Sequence, residues 1–106
     1  MQGYGLVVRF TLQPGHEAAF DALVSETVAQ IRVDEPGTLV YVSHRLEAEP
    51  LVRVFYELYR DREAFEEHER RPHTVRFLSE RERHLAGLHV DFLDALDGKG
   101  PGAASR

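Results

Sequence analysis

Apolar and polar residues alternate over residues 4–12. Tyr4, Leu6, Val8, Phe10 and Leu12 fall on one side, and Val7, Arg9 and Thr11 on the other. A period of two predicts a strand with one strongly apolar face. Pro14-Gly15 breaks it and opens a helix. From His16 to about Arg32 the period lengthens. Phe20, Leu23, Val24, Thr27, Val28 and Ile31 recur every three or four residues, opposite Glu17, Asp21, Glu26 and Gln30. That spacing predicts an amphipathic helix with one buried stripe. Glu35-Pro36-Gly37 ends the helix, and residues 39–46, rich in Val, Tyr and Leu, predict a second strand. Residues 47–50 suit a hairpin loop before a third strand over residues 51–60.

Asp61 suits the N-cap of a helix running to about Arg70, and Pro72 interrupts it and starts a further helical piece to about Leu85. Residues 88–93 can make a last strand. Residues 95–106 can bury little and read as a mobile tail, which leaves residues 1–94 as the domain. The order β-α-β, β-α-α-β predicts an α+β, ferredoxin-like split βαβ fold with a four-stranded antiparallel sheet. Helices on one side cover only one face of such a sheet. The third strand is apolar or aromatic on both, with Val52, Val54, Tyr56 and Leu58 against Phe55, Glu57 and Tyr59. A second copy packed sheet to sheet is the simplest cover, so the pattern predicts a homodimer.

Composition narrows the chemistry. The 106 residues contain no Cys, no Trp and no Asn, and Met1 is the one Met. Without Cys there is no disulfide, thiolate nucleophile or iron–sulfur cluster. A net charge of −5 argues against a nucleic-acid partner. No apolar run approaches a membrane span, and the first residues lack a leader's charged and apolar regions. A cytoplasmic location is the expectation.

Six histidines are the leading chemical candidates. His68 lies three residues after Phe65, and His73 four before Phe77, so both sit near inward helix stripes. Each reads either as a base or donor in a pocket under the helices, or as a partly buried structural histidine. They are five residues apart, about 140° on one continuous helix, which is poor metal-ligand spacing. No metal or other cofactor is expected. His16 reads as solvated, His84 as a cation at a helix end, and His44 and His89 as strand residues reaching the second sheet face. Glu57 reads as a site acid or as the ion-pair partner of Arg9, Arg45 or Arg53. Tyr41, Tyr56 and Tyr59 could wall a flat aromatic ligand. The 13 charged side chains of residues 61–84 read as a solvated face.

Four segments, in order, resemble one family. They are Gln13-Pro14-Gly15-His16-Glu17, Glu35-Pro36-Gly37-Thr38-Leu39-Val40-Tyr41, Tyr56-Glu57-Leu58-Tyr59-Arg60-Asp61 and His68-Glu69-Arg70-Arg71-Pro72-His73. They are similar to the antibiotic biosynthesis monooxygenase family over about residues 4–93. The resemblance implies a ferredoxin-like fold that dimerises into a shared α/β barrel, with a pocket between each sheet and its helices. It implies cofactor-independent oxidation, by O₂, of a phenolic, quinol or polyketide-type aromatic. By motif, His68 and His73 take polar pocket positions, with Glu57 as a further catalytic group. Tyr59, Tyr41, Phe65 and Phe77 would contact substrate. Haem-degrading relatives use an Asn, a Trp and a His, and anthrone oxygenases an Asn–Trp set. The absence of both residue types here argues against haem degradation and against a direct copy of the anthrone mechanism. Two other functions share the scaffold: a non-catalytic domain that binds an aromatic metabolite, and a cofactor-free isomerase or cyclase.

Overall fold

The computed structural model describes residues 3–101. Strand β1 (Tyr4–Leu12) leads into helix α1 (Glu17–Asp34). Strands β2 (Thr38–Arg45) and β3 (Val52–Tyr59) form the hairpin. Helices α2 (Arg62–Arg70) and α3 (Pro72–Glu80) follow, then a 3₁₀ turn (Arg81–His84) and strand β4 (Leu85–Asp94). The sheet order is β2-β3-β1-β4, antiparallel throughout, with β1 and β3 in the centre. This is the α+β, ferredoxin-like arrangement that the apolar pattern predicts. Among the described residues no helix is long and apolar enough to cross a membrane.

The apolar side of β1 lies under the helices, with Leu6, Val8, Phe10 and Leu12 all buried. Phe20 and Leu23 of α1 and Phe77 of α3 close over them. Four phenylalanines interlock at the centre: Phe10 meets Phe20 at 5.3 Å and Phe55 at 4.8 Å between ring centres, and Phe55 meets Phe77 at 6.2 Å. The first is tilted, the second edge-on and the third stacked at 6.2 Å, and tilted and edge contacts suit the ring quadrupoles.

Two boundaries differ from the sequence pattern. The α-helical run after Pro72 stops at Glu80 and tightens into the 3₁₀ turn. β4 starts at Leu85, because Leu12 of β1 pairs with Leu85 and Thr11 with Gly87 across a register shift. Strand pairing there overrides the poor strand propensity of Ala86-Gly87. Residues 95–101 form neither helix nor strand, and the remainder of the expected tail lies outside the described residues.

The opposite sheet face carries no helix. Val42, Tyr56 and Leu93 stand on it 43%, 38% and 39% exposed. His44, which bonds the Val54 carbonyl, and His89, which bonds Asp91, are exposed on the same face.

Candidate functional site

The chemistry of the chain converges where the turn after α1 meets the α2–α3 junction. Asp61 caps α2, its Oδ1 accepting from the Ala64 N–H at 2.8 Å. Arg71 is extended before Pro72, and Pro72 begins α3. A residue ahead of proline favours this extended backbone, so the chain turns here. The turn removes the angular offset that a single straight helix would impose on His68 and His73. Both rings reach one buried carboxylate, Glu35.

Glu35 follows the last turn of α1, and its side chain is almost fully enclosed. Oε1 accepts from His68 Nδ1 at 2.8 Å and from Thr38 Oγ1 at 2.6 Å. Oε2 accepts from His73 Nε2 through a short contact. Burial opposes the charge, but the hydrogen bonds from His68, Thr38 and His73, with the His68 charge, outweigh it. They hold the carboxyl down at about 2. Glu35 is therefore an ionised acceptor, and an acceptor there places the His68 proton on Nδ1. In the neutral form of the ring, that leaves the lone pair on Nε2. No hydrogen bond among the described residues reaches that nitrogen.

His68 lines a cavity of about 170 Å³ between the helices and the sheet. Tyr41, Phe65, Phe77 and Phe92 give it aromatic walls, and Glu57, Thr74 and Arg81 supply polar groups. Glu57 is buried; desolvation pushes its carboxyl up, against the opposing hydrogen bond from Tyr59 and the charge of His68. Tyr59 Oη donates to Glu57 Oε1 at 2.6 Å. Desolvation and the neighbouring Glu57 push the Tyr59 phenol far up, so it stays a donor. The Tyr41 and Tyr59 rings pack on the His68 ring at 5.5 and 5.2 Å. Burial also raises Tyr41 well above the ordinary phenol range.

The structure brings His68, Glu57, Tyr41, Phe65 and Phe77 to one cavity. His73 stands behind it, bonded to Glu35, and Tyr59 is fully buried beneath Glu57. Tyr56 faces the open side of the sheet, paired with Val7 and Val42, and cannot join a tyrosine wall. No strand arginine pairs with Glu57: Arg53 grips Asp21 through two bonds of 2.9 Å, and Arg9 meets Glu49 at 3.0 Å. His16 and His84 bond each other through Nδ1 at 3.0 Å, partly buried, rather than standing in solvent. Desolvation and the nearby His16 and Arg83 push His84 down, against a role as a helix-end cation. Among the described residues no three His, Asp or Glu side chains form a metal-ligand group.

Two site residues escape the sequence pattern. Glu35 sits in a Pro-Gly turn, where an acid ordinarily faces water. Gly37 shows why this one does not: a Cβ there would lie 2.7 Å from the Ala64 Cβ, so the turn presses against α2. Arg81 sits among charges that read as solvated, yet it lies four residues beyond Phe77, on the same inward side.

The comparisons agree with this architecture. A 1.35 Å crystal structure of a candidate antibiotic biosynthesis monooxygenase from Caulobacter crescentus is 27% identical. It aligns over 91% of this chain and 92% of its own, with a TM-score of 0.86. PA3566 from Pseudomonas aeruginosa is 29% identical over 92% of this chain and 97% of its own, at a TM-score of 0.82. Rv0793 from Mycobacterium tuberculosis is 26% identical over 91% and 97%, at 0.83. No curated protein matches. The family profile described as antibiotic biosynthesis monooxygenase matches residues 3–79. With that match spanning most of the sheet and both site helices, the chain belongs to the antibiotic biosynthesis monooxygenase family.

Proposed function

We propose that the chain is a cytoplasmic, homodimeric monooxygenase that oxidises a small phenol or quinol with O₂ and needs no resident cofactor. The observation that carries this reading is the Glu35–His68 pair, which presents an unbonded Nε2 to an aromatic-walled cavity. A cavity of about 150 Å³ is enough for benzene, so the roughly 170 Å³ here suits one ring better than a polycyclic skeleton.

His68 Nε2 takes the hydroxyl proton, and Glu35 stabilises the imidazolium that forms. The electron-rich anion transfers one electron to O₂. The resulting radical and superoxide combine at a ring carbon bearing hydrogen. The protonated hydroperoxide loses water, its O–O bond breaking as that carbon gives up its hydrogen and becomes a carbonyl. One oxygen atom enters the ring and the other leaves as water. The substrate supplies all four electrons that reduce O₂, so no external reductant is consumed; the ring-carbon proton returns to Glu57 and the hydroxyl proton held by His68 goes to the peroxide. Glu57, with its carboxyl pushed up by burial, supplies the proton for O–O cleavage. His73 holds the far oxygen of Glu35 and fixes the carboxylate under His68.

Oxygen uptake with a panel of hydroquinones and anthrones, with ¹⁸O₂ label followed into product, tests the reading. One-ring hydroquinones are expected to react, and His68→Ala to slow them about 10²- to 10³-fold. Absence of uptake across the panel, or uptake unchanged in His68→Ala and His73→Ala, refutes it. Turnover under nitrogen would indicate an isomerase instead. The dimer rests on the open sheet face with Val42, Tyr56 and Leu93. Light scattering is expected to give twice the 12.1 kDa chain mass, and Tyr56→Arg to lower it.

A further inference from the structure

Arg81 is the one cavity-lining arginine, and the proton-transfer scheme leaves it unused, as it does Thr74 and Glu69. It lies at the end of α3 and lines the cavity together with His68 and Glu57. Its guanidinium sits over the Phe10 ring at 5.5 Å and the Phe77 ring at 5.8 Å. Neither ring offers an in-plane oxygen acceptor. Among the described residues, its Nε is the sole buried side-chain nitrogen or oxygen atom without a hydrogen-bond partner. No carboxylate among them forms an ion pair with it, although six other arginines have one.

A buried guanidinium N–H with no acceptor is costly, because buried donors are ordinarily satisfied. Desolvation pushes Arg81 down, against the attraction of Glu82, Tyr41, Glu57 and Glu69. The carboxylates nearby do not bond it: Glu57 Oε1 is taken by Tyr59, and Glu69, which lines the same cavity from its exposed rim, forms no ion pair with it. A ligand oxygen can supply the missing acceptor.

We infer that Arg81 is an anion-recognition residue, and that the ligand of this cavity is a one-ring aromatic presenting an anionic oxygen to it. The planar fork of Arg suits a carboxylate or an ionised hydroxyl. The aromatic half of this inference rests on the oxidation reading above; the anionic half rests on Arg81 alone. Two ligand classes share the chemistry, a ring carboxylate and a phenolate.

Calorimetric titration under nitrogen, with no turnover required, separates them. Benzoate is compared with benzamide, and 4-nitrophenolate with 4-nitroanisole. The wild-type chain is expected to bind at least one anion about tenfold or more tightly than its neutral partner. Arg81→Gln is expected to erase that preference while keeping affinity for the neutral ring, and Arg81→Lys to keep part of it. Preference for benzoate alone identifies a carboxylate, and for nitrophenolate alone an ionised hydroxyl. Equal affinities within both pairs in the wild-type chain overturn the inference, and that comparison needs no variant to fold. A preference unchanged in Arg81→Gln overturns it as well. Oxygen uptake is scored separately, so anion selectivity without O₂ consumption removes the oxidation reading and leaves the Arg81 assignment in place.

Discussion

Replacing Glu35 with Gln removes the charge around which His68, His73 and Thr38 are arranged. The structure holds this carboxyl at about 2, against an ordinary value of 4.5. A folded-state value below the unfolded one stabilises the fold above about pH 4.5, and the gain is lost as pH falls through the folded value. Holding the proton off to this degree corresponds to about 3 kcal/mol. Only 3% of the side chain is exposed, so solvent screening takes little from that figure. Urea denaturation followed by circular dichroism, from about pH 6 to pH 2, measures it. Wild-type stability should fall about 3 kcal/mol more steeply than that of Glu35→Gln across this window. The variant should also be less stable near neutrality, because Gln offers one acceptor oxygen where the carboxylate offers two. Parallel pH profiles for the two proteins would refute the claim that Glu35 is the buried anion of the cluster, whatever their absolute stabilities.

Three further outcomes follow from the packing. Glu57→Gln should raise stability at neutral pH while abolishing turnover, because a carboxyl held up by burial in the fold costs stability wherever the unfolded chain would ionise it. The gain should fade as pH falls below the ordinary carboxyl range, and a gain that persists there would contradict the assignment. Gly37→Ala should destabilise by about 1–3 kcal/mol through its collision with Ala64, and Ala64→Gly in the same chain should recover most of the loss; an additive double mutant would show that the contact is not the cause. Asp21→Ala should cost about 1–2 kcal/mol in thermal unfolding, since Arg53 is buried and loses both bonds while Asp21 is half in water; an unchanged melting temperature would contradict this.

The elements were legible because each follows a local rule. β1 alternates, α1 carries a three-and-four stripe, and Asp61 is a capping residue in front of α2. His68 and His73 were legible as inward residues by their spacing from Phe65 and Phe77. Their shared partner was not, because Glu35 lies 33 residues before His68 and in a turn whose composition resembles a surface loop. Only the close approach of Gly37 to Ala64, a tertiary fact, carries that turn inward. Arg81 was hidden for a related reason. In that dense run of charges half of the arginines find carboxylates, as Arg62 finds Glu66 and Arg76 finds Glu80 and Glu26, and nothing local distinguishes the unpaired one that turns inward. Strand β4 began early because its register belongs to β1 rather than to its own residues.

The central position of β1 sets the order in which the fold can close during synthesis. It leaves the ribosome before the other three strands of its sheet, yet its two neighbours are β3 and β4, whose residues begin 40 and 73 positions after its last. Until residues 85–94 emerge, one whole side of the most apolar strand remains an unpaired edge. An exposed strand edge of that kind is a template for wrong partners. Chains halted before β4 should therefore be aggregation-prone, and the finished domain should assemble in one cooperative step, gated by its last strand.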